Sequence, residues 1–399
     1  MTAEPALGAQ VHGERAVAWP FPLDDPYPAY AAMRSKDPVQ WSDELTAWLV
    51  LSHQHAMAVL RGPGWSADPR HNPDLFERLG GNRPGGSLLA KMLLFTDPPD
   101  HDRLRRAVNR FFTRQRVEDL QPRIATMTSA AFAVLPTDTP VEVMASVARS
   151  LPLAVICELL GVDTEVAELL AAETPTLAAV LDPLATEADR QASAASGLAL
   201  MLALVPIVAE RRRSPGEDLL TALVEVLDAD DAIVMALLLL AAGHETTANL
   251  IGNGIVALAQ HPDQFQLLRQ NPLLLPTAVE ELLRWDSPVQ VVGRVARAAT
   301  MLGGHHVATG EQVLVILGAT NRDPAVFPRP DRLDVTRHGA GALAFGHGAH
   351  YCVGAALARA EAAEVFRRLI TGTAPLRVID WARPPSTTFR RLSWLTMLA

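Results

Sequence analysis

The chain has two cysteines, Cys157 and Cys352, and only Cys352 stands in a sequence suited to chemistry. It ends the run Phe345-Gly346-His347-Gly348-Ala349-His350-Tyr351-Cys352 and is followed by Val353 and Gly354. An Ala-rich helical run, Gly354 to Ala363, comes next. A thiol at a helix N-terminus meets free backbone N–H groups and the positive end of the helix dipole. Both favour the thiolate, the form that ligates metals. Gly346 and Gly348 let the loop backbone lie flat against a large planar group. A lone cysteine is more often a small buried hydrophobe, so this reading needs support elsewhere in the chain.

A second segment, Ala242-Gly243-His244-Glu245-Thr246-Thr247, falls inside the apolar helical run Asp231 to Ala259. A Glu there is costly unless paired or functional. Thr246 can bond the carbonyl four residues back and Gly243 weakens the ladder, so a local kink is expected. Glu245 and Thr246 form an acid–hydroxyl pair of the kind that delivers protons.

Glu281 and Arg284 in Glu281-Leu282-Leu283-Arg284 share a helix face and can pair. Most such pairs are surface ion pairs of little weight. His101 and Arg105, four apart after the Pro98-Pro99 turn, also share a face, and Arg suits bidentate pairing with carboxylates. Arg103, Arg106, Arg110, Arg114 and Arg116 make a local positive patch on a chain of net charge −9. It reads equally as a solvated face and as a surface that steers an acidic partner.

The elements that must position these residues are mostly helical. Asp100 to Val226 has a helical pattern, with breaks expected at Pro136, Pro140, Pro175, Pro183 and Pro215. Further helices are expected over Glu217–Leu227, Asp230–Gln260, Pro276–Trp285 and Gly354–Ile370. Ala47–Leu51 and Val313–Leu317 read as strands, and Gly303–Asp334 as strands and turns. A hydrophobic content of 49% supports a sizeable core. The expected class is mainly α (α+β), one domain over 1–399 with Met1 to Pro20 loosely ordered. The net charge argues against nucleic acid. Two distant cysteines fit a reducing cytosol. No signal-like apolar stretch opens the chain, and the longest apolar run, Ala232 to Gly243, is too short to span a bilayer. A soluble cytoplasmic protein is expected.

The Cys352 loop resembles the haem-binding loop of the cytochrome P450 family, F-G-x-G-x-H-x-C-x-G, at every fixed position. Ala242 to Thr247 is similar to that family's A-G-x-[DE]-T-T segment, and the resemblance runs from about Asp25 to the C-terminus. It implies the cytochrome P450 fold, a helical prism with small β-sheets. It implies haem b (iron protoporphyrin IX) with Cys352 as axial thiolate, and Phe345, Gly346, Gly354, Ala242 and Gly243 around the cofactor. Propionate contacts map to His101, Arg105, Arg294 and His350. Glu245 and Thr246 map to proton delivery, with O2 as co-substrate. Glu281 and Arg284 map to a buried network completed by Arg332. Substrate would meet Leu238, Ala241, Val289, Gln290, Val291 and Leu392, with Gln290 as a polar anchor. Further lining would come from Asp68 to Leu94 and a lid between Pro175 and Leu204.

The implied activity is monooxygenation of a bulky, weakly polar molecule, a hydroxylation or epoxidation in secondary metabolism. Electrons would come from separate ferredoxin and ferredoxin reductase proteins and ultimately NAD(P)H, with the enzyme a monomer. An oxidative coupling enzyme or a peroxygenase on the same scaffold is the alternative, and a non-catalytic haem sensor or carrier the alternative of another class. Two departures from the family stand out: Tyr351 before the ligand, and Arg391 where many relatives have Gly.

Overall fold

The computed structural model describes residues 21–82, 90–136, 139–338, 341–372 and 376–398. Met1 to Pro20, and 83–89 within the expected substrate-facing segment, lie outside the described residues. The architecture is mainly helical with three small sheets.

The helix Ala229–Gln260, hereafter the central helix, organises the rest. Asp228 caps it by accepting from the Asp231 N–H;. It is buried along most of its length, from Ala232 to Leu258. The helices Ser150–Leu160, Glu187–Arg213, Leu275–Trp285 and Ala355–Thr371 pack around it. It is long and apolar enough to cross a membrane, but here it is the core helix, covered on most faces by protein.

The main sheet has the order β1-β2-β8-β5-β3. Its strands are β1 (Val39–Ser42), β2 (Ala47–Val50), β3 (Trp65–Ser66), β5 (Val291–Ala296) and β8 (Gln312–Ile316). β2 and β8 run parallel, with Trp48 opposite Val313. β5 runs antiparallel to β8, with Arg294 opposite Val313. β4 (Pro140–Glu142), β10 (Trp394–Leu398) and β9 (Arg377–Ala382) form a second sheet. β6 (Thr300–Leu302) and β7 (His305–Val307) form a hairpin.

One local expectation fails. Pro175 does not end its helix, which runs Thr164–Ala178. Packing along Glu187–Arg213 outweighs one lost backbone bond;. The central helix is continuous through Gly243, and Thr246 donates to the Ala242 carbonyl as expected, at 2.8 Å.

The Glu281–Arg284 pair is buried and bidentate, with Nε–Oε2 2.6 Å and Nη2–Oε1 2.8 Å. The third partner is not Arg332. That residue is exposed and contributes only its carbonyl, which accepts from Arg284 at 3.3 Å. Arg337 donates to Glu281 instead, at 3.0 Å. The Asp334 N–H adds another bond, 2.9 Å. The turn at 334–337 carries Arg337 to the carboxylate and leaves Arg332 on its outer side. Arg337→Ala should therefore cost about 3 kcal/mol in denaturant unfolding, the cost of leaving a buried charge underpaired. Arg332→Ala should stay within about 0.5 kcal/mol.

Glu361, on the helix Ala355–Thr371, is 2% exposed and its Oε2 has no partner among the described residues. Burial pushes its carboxyl up to about 8. Below the unfolded value of 4.5 both states hold the proton. Between that value and about 8 only the folded chain keeps it, so this group's contribution to stability is lost as pH rises;. Glu361→Gln should remove that loss. Its thermal stability relative to the parent should rise from pH 5 to pH 8, by on the order of 4 kcal/mol. A parallel shift at both pH values would contradict the assignment.

Candidate functional site

The Cys352 loop is closed by its own backbone. Gly346 N–H donates to the Leu343 carbonyl at 2.8 Å, and Cys352 N–H to the Phe345 carbonyl at 2.9 Å. Gly346 and Gly348 have φ of 69° and 74°, which side-chain-bearing residues avoid;. At Gly348 a Cβ would lie 2.3 Å from the Leu60 carbonyl oxygen, so glycine is required there twice over. At Gly354 a Cβ would meet nothing within 4 Å, so open space borders the cysteine. Burial raises the Cys352 pKa, opposed by the Gly354 N–H and by the charges of Arg105 and Arg359.

Arg359 also fixes the loop from outside. Its guanidinium lies 4.5 Å from the Phe345 ring centroid, donates to the Tyr351 hydroxyl at 3.1 Å and pairs with Glu280. The departure at Tyr351 thus has a partner, and that partner is the clamp and not the sulfur.

Four basic residues converge beside the cysteine. His101 and His350 have ring centroids 4.4 Å apart. His350 is driven down to about 3 by burial and by Arg294, His101 and Arg105. Burial lowers Arg294 to about 10, and only the charge of Asp97 opposes it. Burial lowers Arg105, and Cys352 is its only counter-charge. His101 is 2% exposed and its Nε2 has no partner among the described residues, while its Nδ1 lies 3.0 Å from Asp102. The half-buried guanidiniums of Arg105 and Arg294 are short of negative charge, which is unfavourable unless an anion joins them;. Two carboxylates with one thiolate-facing edge would satisfy all four, which is the donor set that a haem with its propionates fits.

Across the core, the central helix opens one face. Leu238, Ala241, Gly243 and Thr246 are half-exposed and Ala242 exposed, inside a run that is otherwise buried. Such a stripe on a core helix borders a chamber. A Cβ on Gly243 would come 3.2 Å from Ile156, so this glycine has a packing reason of its own. Glu245 points into the protein at 5% exposure. Its Oε1 accepts a long bond from Asn249, 3.5 Å, its Oε2 has no hydrogen-bond partner among the described residues, and His244 Nε2 is 3.9 Å away. The Thr246 hydroxyl is bonded to Ala242 and not to Glu245.

The expected substrate-facing residues divide. Leu238, Ala241 and Val289 are half-exposed. Gln290 is 1% exposed and committed elsewhere: it donates to the Ser287 carbonyl at 2.8 Å and accepts from Tyr30 at 3.4 Å. It is a structural amide, and the anchor role does not fit it. Val291 belongs to the apolar cluster around Tyr27 and Tyr30. Leu392 is 1% exposed, and its carbonyl accepts from Arg149. Alternation along a strand that packs on both faces hides which side chains face the chamber.

Sequence reasoning missed Asp286. It accepts from Tyr27, from Arg383 at 2.9 Å and from Arg390 at 3.0 Å. Burial alone would raise its pKa, but Arg390 and Arg383 outweigh burial and hold it low. The signal was an Asp directly after a helix end whose own Arg284 is taken by Glu281. Arg391 reaches the lid helix by donating to the Pro175 carbonyl at 3.3 Å.

Fold and site together describe a haem-thiolate oxidoreductase. The cytochrome P450 family model matches residues 178–371. The vitamin D(3) 25-hydroxylase of Pseudonocardia autotrophica is 40% identical over 355 residues, covering 86% of this chain and 85% of that one. The monooxygenase PikC of Streptomyces venezuelae is 39% identical, covering 87% and 83%. The structure of P450BioI with a hexadec-9Z-enoic acid-ligated acyl carrier protein superposes with a TM-score of 0.89 at 32% identity, covering 94% of this chain and 99% of that one. The chain belongs to the cytochrome P450 family and is a monooxygenase of the oxidoreductase class. Members of the family hold haem through a cysteine thiolate.

Arg294→Leu separates the two sides of the basic cluster. It should stabilise the haem-free chain, by on the order of 3 kcal/mol, because a poorly matched buried cation is removed. Haem retention should fall roughly tenfold or more, for want of a charge-assisted bond. Melting of the apoprotein and haem transfer to apomyoglobin read the two effects. Equal signs in both would refute the arrangement.

Proposed function

We propose that the chain inserts one atom of dioxygen into a bulky, weakly polar organic substrate, as a tailoring step in secondary metabolism. The observation that carries this reading is the set of four basic residues beside Cys352, and the open stripe on the central helix that holds Thr246 supports it. Haem b, when bound, supplies the iron at which dioxygen is activated. Cys352 would hold the iron, and Phe345, Gly346 and Gly354 would lie against the macrocycle. His101, Arg105, Arg294 and His350 would hold the propionates.

On the opposite wall Ala242 and Gly243 keep the helix surface low. Thr246 donates to the Ala242 carbonyl, so its oxygen stays an acceptor toward the chamber. It can hold an O–H group or a water there and pass a proton on. Glu245 lies one residue away with an oxygen uncommitted, and a rotamer change would bring that acid toward Thr246. This acid–hydroxyl pair supports monooxygenation over peroxide-driven chemistry, which has no need of it.

Leu238, Ala241 and Val289 give an apolar wall, which favours apolar ligands. Relatives named as a vitamin D(3) hydroxylase and a 6-deoxyerythronolide B hydroxylase extend this toward secosteroids and macrolactones. We take the chain as one cytoplasmic catalytic unit that receives electrons from a ferredoxin and its reductase. Arg106, Arg110, Arg114 and Arg116 are exposed and offer an acidic partner a landing surface;.

The reduced, CO-bound spectrum should show the red-shifted Soret band of thiolate ligation, and Cys352→His should lose it. Spectral titration with a secosteroid and a macrolactone tests the substrate class. Thr246→Ala should keep substrate binding and oxygen consumption but lower product formation by about 10²-fold or more. Full coupling in that variant would remove Thr246 from proton delivery.

A further inference from the structure

The helix Glu187–Arg213 breaks the rule that an outer helix shows a polar face to water;. No charged residue occurs between Arg190 and Glu210. One face is buried through Ser193, Gly197, Leu200, Met201, Leu204 and Val208. The opposite face is also apolar, with Leu198, Leu202 and Val205 exposed by 44%, 62% and 47%. Ala195 and Ala209 extend the same stripe in both directions and are exposed. Contiguous exposed apolar surface of this kind marks an interaction site.

The charges at the two ends say what fits. The first turn carries Glu187 and Asp189, and the last turn Arg211, Arg212 and Arg213. Leu202 lies near the midpoint between Asp189 and Arg213. An antiparallel copy of the same helix, with its two-fold axis near Leu202, sets Ala195 against Ala209 and Leu198 beside Val205 and Pro206. It also sets the acidic first turn of each helix toward the basic last turn of the other, and opposes the two helix dipoles. A symmetric pair needs one self-complementary patch, and this stripe is one.

A bilayer fits less well. An interfacial helix carries Lys or Arg on a polar face. Here the other face is protein core, the first turn is acidic and the chain's net charge of −9 repels anionic headgroups. The helix is apolar enough to span a membrane, but it is packed against the central helix and the helix Thr164–Ala178.

We propose that the chain forms a two-fold homodimer through the Leu198–Leu202–Val205 stripe, contrary to the monomer expected from sequence. The stripe from Gln191 to Ala209 is about 27 Å long. One helix pair of that length buries less than a stable dimer does, which places the association in the micromolar range or weaker. The first part of this helix lies within the expected lid, Pro175 to Leu204, so pairing also restrains the lid.

Sedimentation velocity of the haem-loaded protein, across low to high micromolar concentrations, should show mass rising from 43.0 kDa toward twice that value. Leu202→Glu places two carboxylates at the axis and should weaken association at least tenfold, with the CO-bound spectrum unchanged as a check on folding. Leu202→Cys should give an oxidised dimer. Leu198→Cys should cross-link with Val205→Cys in a mixture but not with itself. A monomer at every concentration, or association that Leu202→Glu leaves untouched, overturns the proposal. So does wild type that stays monomeric in solution yet floats with phosphatidylglycerol vesicles, because the stripe then serves a membrane. None of these readouts depends on turnover.

Discussion

The carboxylate of Glu281 is the constraint on which the rest of the structure depends. It is buried with Arg284 at 1% side-chain exposure each, where an unpaired charge would be costly;. Two N–H groups of Arg284, one of Arg337 and the backbone N–H of Asp334 satisfy it. Arg284 then donates its other N–H to the carbonyls of Asn321 and Pro330, at 3.1 and 2.8 Å. These carbonyls belong to irregular chain with no ladder to join, and buried carbonyls need a donor. Asn321 carries the linkage on: its amide donates to Ser287 and its oxygen accepts from the Leu343 N–H at 2.6 Å. Leu343 is two residues before Phe345. One buried ion pair therefore holds the strap that delivers the cysteine loop.

The loop receives rigidity from one side and an electrostatic demand from the other. Arg359 presses on Phe345 and ties Tyr351 to Glu280. Toward the chamber, Arg105, Arg294, His101 and His350 face one another with too little negative charge. That imbalance is a cost to the bare polypeptide and becomes attraction once carboxylates sit among them. Affinity for an anionic cofactor is thus stored as unfavourable charge burial in the protein.

The chemistry was legible where residue types are dictated by local geometry. Gly346 and Gly348 needed positive φ, Cys352 needed the loop, and the acid–alcohol pair stood out in an apolar helix. Those signals are short-range, so a string of ten residues carries them. What failed were long-range choices among similar residues. Arg332 and Arg337 are close to each other and far from Glu281 in sequence, and only the turn at 334–337 decides which reaches it. Val291 opens a strand packed on both faces and Gln290 directly precedes it, so period-two alternation does not tell chamber from core there;. Asp286 needed Arg383 and Arg390 from the C-terminal hairpin and Tyr27 from the first helix, partners about a hundred or more residues away. Pro175 looked like a break because its lost N–H is local, whereas the packing that keeps the helix is tertiary.

The two walls of the chamber follow opposite rules for one reason. Cys352 must stay at a fixed place through any reaction, so its loop is over-determined by backbone bonds, positive-φ glycines and the Arg359 clamp. Under the proposed role Glu245 and Thr246 exchange partners as protons move, and in the structure they are under-determined. The Glu245 carboxylate has one long bond and one free oxygen although it is buried, and Thr246 leaves its oxygen as an acceptor. A fully satisfied acid would be more stable and would have no capacity left to relay a proton. On the proposed function, the uncommitted polar atoms of the central helix are where stability is given up for proton transfer.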